Sequence, residues 1–144
     1  MKKILILNGP NLNMLHLRDK KIYGDFNLAK IADDCEELAK QIHVKITFVQ
    51  SNSETEIIEL IHEAIEKFDG IIINPAGFTH SSVAIRDALE IFNGKKIELH
   101  ISNIYKREEF RKHSYISGVV DGVISGLGAN GYAIAILAIN NMLL

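Results

Sequence analysis

Residues 4–7, Ile4-Leu5-Ile6-Leu7, form a wholly apolar run that Asn8-Gly9-Pro10-Asn11 cuts short. A strand with one wet face alternates apolar and polar residues. A run that is apolar at every position fits a strand covered on both faces, as in a parallel sheet. Working outward, residues 44–50, 70–74, 96–102 and 119–125 read as four more strands. Between them, Leu28, Ile31, Ala32, Cys35, Leu38, Ala39 and Ile42 recur with helical spacing, and so do Ile57, Ile58, Ile61, Ala64, Ile65 and Phe68. A third helix is expected from near Ser81 to Phe92, with Gly94 as its stop signal. A short helix begins near Lys106, and a last one runs from about Ala129 to the C-terminus. Strands alternating with helices over 144 residues predict one α/β domain, residues 1–144, with a flavodoxin-like, doubly wound, five-stranded parallel sheet of order 2-1-3-4-5.

Composition narrows the function. With 47% of residues apolar, the chain can bury a sizeable core and is not a disordered segment. A net charge of −2 argues against a general nucleic-acid binder, although Arg18, Lys20 and Lys21, and Lys106, Arg107, Arg111 and Lys112, form local basic patches. Cys35 is the single cysteine, so no internal disulfide forms, which fits a reducing compartment. Met1-Lys2-Lys3 and the apolar run resemble the start of a signal peptide, but the run is too short for a signal core, and a cytoplasmic location is expected.

Ligands of doubly wound sheets bind beyond the carboxyl ends of the strands, so the segments that follow each strand matter most. After the first comes Asn8-Gly9-Pro10-Asn11-Leu12-Asn13 and a long connection to about Asn27 that carries Arg18 and Tyr23-Gly24. Connections of that length are often lids or binding loops; a solvated surface excursion is the alternative. After the third comes Asn74-Pro75-Ala76-Gly77-Phe78-Thr79-His80-Ser81-Ser82, a turn into a helix N-terminus, where Thr79 or Ser81 can serve as cap. The fourth strand is the most informative. Ile97, Leu99 and Ile101 point to one face, and Glu98, His100 and Ser102 to the other. In an interior strand such alternation needs a reason, and a carboxylate two residues from a histidine can hold the imidazole in one tautomer. The competing reading is an edge strand with one wet face. Gly126-Leu127-Gly128-Ala129-Asn130-Gly131 matches a dinucleotide-binding fingerprint, but the strand and acidic residue that should follow do not fit before Leu144. These glycines are expected to serve a tight turn and close packing. No spacing suggests a metal site.

Taken together, these segments resemble the type II 3-dehydroquinate dehydratases of the shikimate pathway over essentially the whole chain. The resemblance is carried by Leu7-Asn8-Gly9-Pro10-Asn11-Leu12-Asn13-Met14-Leu15, by Arg18 and Tyr23-Gly24, and by Asn74-Pro75 with Thr79-His80-Ser81-Ser82. It continues in Glu98-Leu99-His100-Ile101-Ser102-Asn103 and Arg107-Glu108-Glu109-Phe110-Arg111. It implies a hydro-lyase without metal or organic cofactor that removes water from 3-dehydroquinate in an anti elimination through an enolate. The motifs carry the base onto Tyr23, with Arg18 beside it, and the general acid onto His100, oriented by Glu98. Asn11 matches the asparagine that helps to stabilise the enolate, through a water. Substrate binding falls on Asn74, His80, Arg111 and the backbone of Ile101 and Ser102. Asp87 matches an aspartate that approaches a neighbouring subunit's site in a dodecamer, a tetramer of trimers. His16 stands where the family usually has glycine, Lys20 where proline is common, and Ala76-Gly77 where Gly-Ala is common. The first two bear on closure of the lid, the third on the turn near the substrate.

The residue types suit that chemistry on their own. A proton beside a ketone needs a base, and departing hydroxide needs an acid. An enolate needs hydrogen-bond donors, and a substrate carboxylate needs N–H groups or a cation. A cation beside a phenol favours the phenolate. Two rivals stand against it. A binding or regulatory module without chemistry leaves Glu98, His100, Arg18 and Tyr23 without a role. A Schiff-base enzyme needs a desolvated lysine, whereas Lys45 and Lys96 lie at strand starts, the end away from the site.

Overall fold

The computed structural model describes every residue from Met1 to Leu144. Five strands, β1 (Lys3–Asn8), β2 (Lys45–Gln50), β3 (Gly70–Asn74), β4 (Lys95–His100) and β5 (Gly122–Ser125), form one sheet. Its order is β2-β1-β3-β4-β5, and every neighbouring pair is parallel. The expected topology is therefore present. The helices are α1 (Lys20–Tyr23), α2 (Leu28–Gln41), α3 (Glu54–Lys67), α4 (Val83–Ile91) and α5 (Asn130–Met142). None is long and apolar enough to cross a membrane.

The unbroken apolar run of β1 supplies both faces of the sheet. Ile4 and Ile6 pack with Ile72, Ile97 and Leu99 under α2 and α5, while Leu5 and Leu7 pack with Ile71 and Ile73 under α3 and α4. Cys35 lies in the first of these layers, where burial pushes its thiol up to about 12, leaving a small inert apolar side chain. Short polar side chains start the helices: Asn27 accepts from the Lys30 N–H, Ser53 from that of Glu56, and Ser82 from that of Ile85. The α4 cap is thus Ser82, not Thr79 or Ser81, and the helix begins at Val83. The last strand also starts later than its apolar residues suggest. Ser117–Val119 forms a 3-10 turn, and Asp121 ties the chain to the sheet, its N–H donating to the Lys96 carbonyl and its carboxylate accepting from the Lys96 N–H.

The glycine-rich turn before α5 is structural. Gly126 and Gly128 hold left-handed φ values of 91° and 65°, and a Cβ on Gly131 would sit 2.7 Å from Leu99 Cδ1. These features let α5 lie directly on β4.

At the carboxyl ends of β1 and β3 the apolar layer gives way to Asn8 and Asn74, opposite each other in the register and both buried. Buried amides need partners, and α5 supplies one. The Tyr132 phenol donates to Asn8 Oδ1 at 2.6 Å and accepts from Asn74 Nδ2 at 3.2 Å. Burial, against the opposing pull of the Asn74 bond, pushes this phenol well above its ordinary value, so it remains a donor. Tyr132→Phe leaves the Asn8 oxygen without that donor in a buried setting, at a cost of about 1–3 kcal/mol. Urea unfolding should show the midpoint lowered with the slope unchanged.

Candidate active site

Four segments converge at the carboxyl ends of β1, β3 and β4. Their cavity is lined by Asn11, Arg18, Tyr23, Asn74, His80, His100, Ile101, Ser102, Arg107 and Arg111, among others. Nine of the residues expected to act are therefore together, counting Ile101 and Ser102. Glu98 sits one bond behind His100, and Asp87 is the exception. It is exposed on α4, paired with Arg86 at 3.0 Å, and does not line the cavity of its own chain.

The β1–β3 junction shapes the floor. The Gly9 N–H donates to the Asn74 carbonyl at 2.8 Å, and a Cβ on Gly9 would lie 2.5 Å from the Pro75 carbonyl oxygen, so only glycine allows this approach. Asn11 follows with φ 69°, a left-handed conformation that asparagine tolerates better than most residues. Its N–H is held by Asn52 Oδ1 at 3.0 Å, and Gln50 braces both Asn52 and the Gly9 carbonyl. Its side-chain amide takes no partner from the chain. Ala76, where the resembled family commonly has glycine, has φ 53° and is held by the Asn74 side chain, which accepts from its N–H at 3.2 Å.

The long connection after β1 folds as 3-10 turns over Leu12–Leu17 and then α1, capped by Asp19. Leu12 and Leu15 are buried and anchor it. Lys20 opens α1 and pairs with Asp25 in solvent, while His16 is exposed, so neither departure disturbs the packed side. Tyr23 is only 7% exposed. The Arg18 guanidinium bonds to its phenol oxygen, with Cζ 4.0 Å from the ring centre, and Arg107 Cζ lies 5.0 Å from the same centre. Two cations thus lie against the ring. Arg107 also donates to Ser102 Oγ at 3.2 Å, and its buried Nε makes no hydrogen bond, lying 4.0 Å from Glu108 Oε1. Sequence reading placed Arg107 only in a motif and a basic patch. A buried arginine and a solvated one have the same spacing in a chain, so its position over Tyr23 could not be foreseen.

The polar face of β4 is dry. Strand β4 lies between β3 and β5, Glu98 has no exposure and His100 only 4%, which excludes a wet edge strand. His100 Nε2 lies 2.5 Å from Glu98 Oε2, and Thr79 Oγ1 is 3.5 Å from the same nitrogen. Glu98 also accepts from Ser117 Oγ at 2.6 Å and from Ser114 Oγ. Burial alone raises this carboxyl, but bonds from His100, Ser117 and Ser114 outweigh it and hold it below the usual carboxylate range. An ionised carboxylate only accepts, so Nε2 carries a proton and Nδ1 is the nitrogen left for the cavity. Thr79, Ser114 and Ser117 were not foreseen as site residues. Thr79, offered as a helix cap, instead lies fully buried beside the imidazole.

Around this pair stand the groups suited to a polar acid. The backbone N–H groups of Ile101 and Ser102 take no hydrogen bond within the chain. His80 Nδ1 donates to the His113 carbonyl at 2.7 Å, which turns Nε2 outward as an acceptor. Burial lowers the His80 pKa despite that bond, favouring the neutral ring. Arg111, its Nε 2.6 Å from Glu108 Oε2, adds a cation.

The chain matches the family model described as dehydroquinase class II over residues 2–140. It is 52% identical over 136 residues to the 3-dehydroquinate dehydratase of Pasteurella multocida, covering 94% of this chain and 92% of that protein. It is 51% identical over 142 residues to 3-dehydroquinate dehydratase 2 of Agrobacterium fabrum, covering 99% and 97%. The solved type II dehydroquinase of Butyrivibrio crossotus superposes with a TM-score of 0.94 at 47% identity, over 96% of this chain and 97% of that one. With sequence and fold agreeing over nearly its full length, the chain belongs to the class II dehydroquinases.

Proposed function

We propose that this chain is a type II 3-dehydroquinate dehydratase, a hydro-lyase of the shikimate pathway, in which Tyr23 is the base and His100 the general acid. The observation that carries the reading is one cavity holding a tyrosine with two guanidinium groups against its ring and a histidine on a buried carboxylate. The Tyr23 phenolate takes the C2 proton, and the electron pair moves onto the ketone as an enolate. Asn11, with a free side-chain amide, stabilises that enolate through a water. The enolate then expels the C1 hydroxyl on the opposite face, and His100 protonates it, giving water and 3-dehydroshikimate. Arg18 and Arg107 balance the charge on Tyr23, and Glu98 that on His100. The free N–H groups at Ile101 and Ser102, with Asn74, receive the substrate carboxylate, while His80 and Arg111 take the ring hydroxyls. The cations of the cavity are Arg18, Arg107 and Arg111, with no lysine to form a Schiff base. Borohydride should not inactivate the enzyme in the presence of substrate.

Ultraviolet absorbance of the conjugated product tests the activity. Tyr23→Phe keeps the ring and removes the proton acceptor, so turnover should collapse while ligand binding largely persists; substantial turnover would overturn Tyr23 as the base. Arg18→Ala should also lower turnover. His100→Ala should lose about 10²–10⁴-fold in kcat with the fold intact, the usual range for general acid catalysis. Near-normal turnover would assign the acid to another group.

The same proposal makes the chain a single catalytic domain acting in the cytoplasm as a dodecamer, a tetramer of trimers. Asp87 would then approach a neighbouring subunit's site, consistent with its exposure and its place outside its own cavity. Light scattering at assay concentration should show the assembly, and a fully active monomer would refute the cross-subunit role.

A further inference from the structure

Strand β4 and the turn before β5 meet at the Glu98 carboxylate, which receives donors from both. Ser117 Oγ donates to Oε1 at 2.6 Å, and Ser114 Oγ lies 3.2 Å from each oxygen. The Ser114 hydroxyl has little other use for its proton. Its oxygen already accepts the N–H groups of Ile116 at 3.0 Å and Ser117 at 3.1 Å, so the proton is directed to the carboxylate. Ile116, fully buried in the layer beneath α4, fixes the turn that presents both serines. The neighbours of Glu98 across the sheet, Ile73 and Val123, bring no polar side chain.

We propose that Ser114 and Ser117 are positioning residues for the acid: their hydroxyls keep the Glu98 carboxylate charged and aimed, so that Nε2 of His100 keeps its proton and the one on Nδ1 stays acidic enough to be delivered. This rests on the reading of His100 as the acid. A buried carboxylate stripped of donors takes up a proton, and the nearest one is on His100 Nε2. Transfer would leave a glutamic acid beside a neutral imidazole, whose remaining N–H is a far weaker acid. The serine donors on the Glu98 oxygens therefore decide whether that carboxylate stays charged opposite the imidazole. The other charged or titratable groups facing the pair are His80, its ring centre 6.4 Å from that of His100, and Arg111 beyond it. The same segment also fixes His80 through the His113 carbonyl and Thr79 through the Tyr115 N–H, so one turn sets both the acid and a substrate contact.

The test is steady-state kinetics across pH on Ser114→Ala, Ser117→Ala, Ser117→Thr and Glu98→Gln, with His100→Ala as reference. Native Glu98 stays ionised as pH falls. With a donor removed it protonates at higher pH, so the acid limb of kcat should move up by about one pH unit, since a hydrogen bond to a charged group is worth roughly tenfold or more. The plateau of kcat should fall about tenfold, with KM changed less than about threefold. Ser117→Thr keeps a hydroxyl and should restore the limb. In a Glu98→Gln background the serine changes should have almost no further effect, which separates action through the carboxylate from simple loss of packing. An unmoved acid limb in both alanine variants, or undiminished effects in the Glu98→Gln background, overturns the proposal. If that happens while His100→Ala has collapsed, only the serine role falls. If His100→Ala keeps its turnover, the acid assignment falls and takes this inference with it.

Discussion

A carboxylate with no solvent contact, in a strand flanked by strands on both sides, sets the terms for much of this structure. An isolated buried charge can cost as much as the net stability of a domain or more, so Glu98 stays ionised only with donors on its oxygens. His100 supplies one from the same strand. The others come from 16 and 19 positions along, which helps to explain why the chain after β4 does not turn straight into a helix. It makes short 3-10 turns over Ile104–Lys106, Glu109–Lys112 and Ser117–Val119, returning Ser114 and Ser117 to the sheet before β5 begins. The excursion also carries Arg107 to Tyr23 and Arg111 to the cavity, so meeting one electrostatic demand places several groups of the site.

The two faces of the sheet divide the work. The layer under α2 and α5 reaches the site through Asn8, Asn74 and Tyr132, which hold strand ends in place. The layer under α3 and α4 reaches it through Glu98 and the serine turn. The connection after β1 packs on the first of these layers through Leu12, Leu15 and Tyr23, and Arg18 and Arg107 lie over the Tyr23 ring where it lines the cavity.

The strands and the polar face of β4 were legible because each rests on local periodicity, in apolar runs, helical spacing and the alternation from Lys96 to Ser102, and the strand order followed from the alternation of strands with helices along a chain of this length. The family motifs brought Arg18, Tyr23, Asn74, His80 and His100 into view for the same reason, being contiguous blocks. What escaped depends on contacts distant in sequence. Ser114 and Ser117 look like ordinary turn serines until Glu98 is seen beneath them. Arg107 reads as surface charge. Thr79 and Ser81 both read as caps for α4, but burial beside His100 claims Thr79, and the cap falls one residue beyond Ser81, on Ser82. Strand β5 is shorter than its apolar residues suggest, because Val119 and Val120 are apolar for packing under α4 rather than for pairing.

Tyr132 has a consequence for how the molecule comes into being. It lies in the last helix, yet its hydroxyl joins the tips of the first and third strands, 124 and 58 residues earlier in the chain. A polypeptide emerging from the ribosome presents the lid, the imidazole and most of the cavity wall well before it can dock this helix. Until then Asn8 and Asn74 lack their shared partner, and the loops they support have no fixed base. Docking of this helix, rather than arrival of the reactive side chains, is therefore the step that assembles a working pocket.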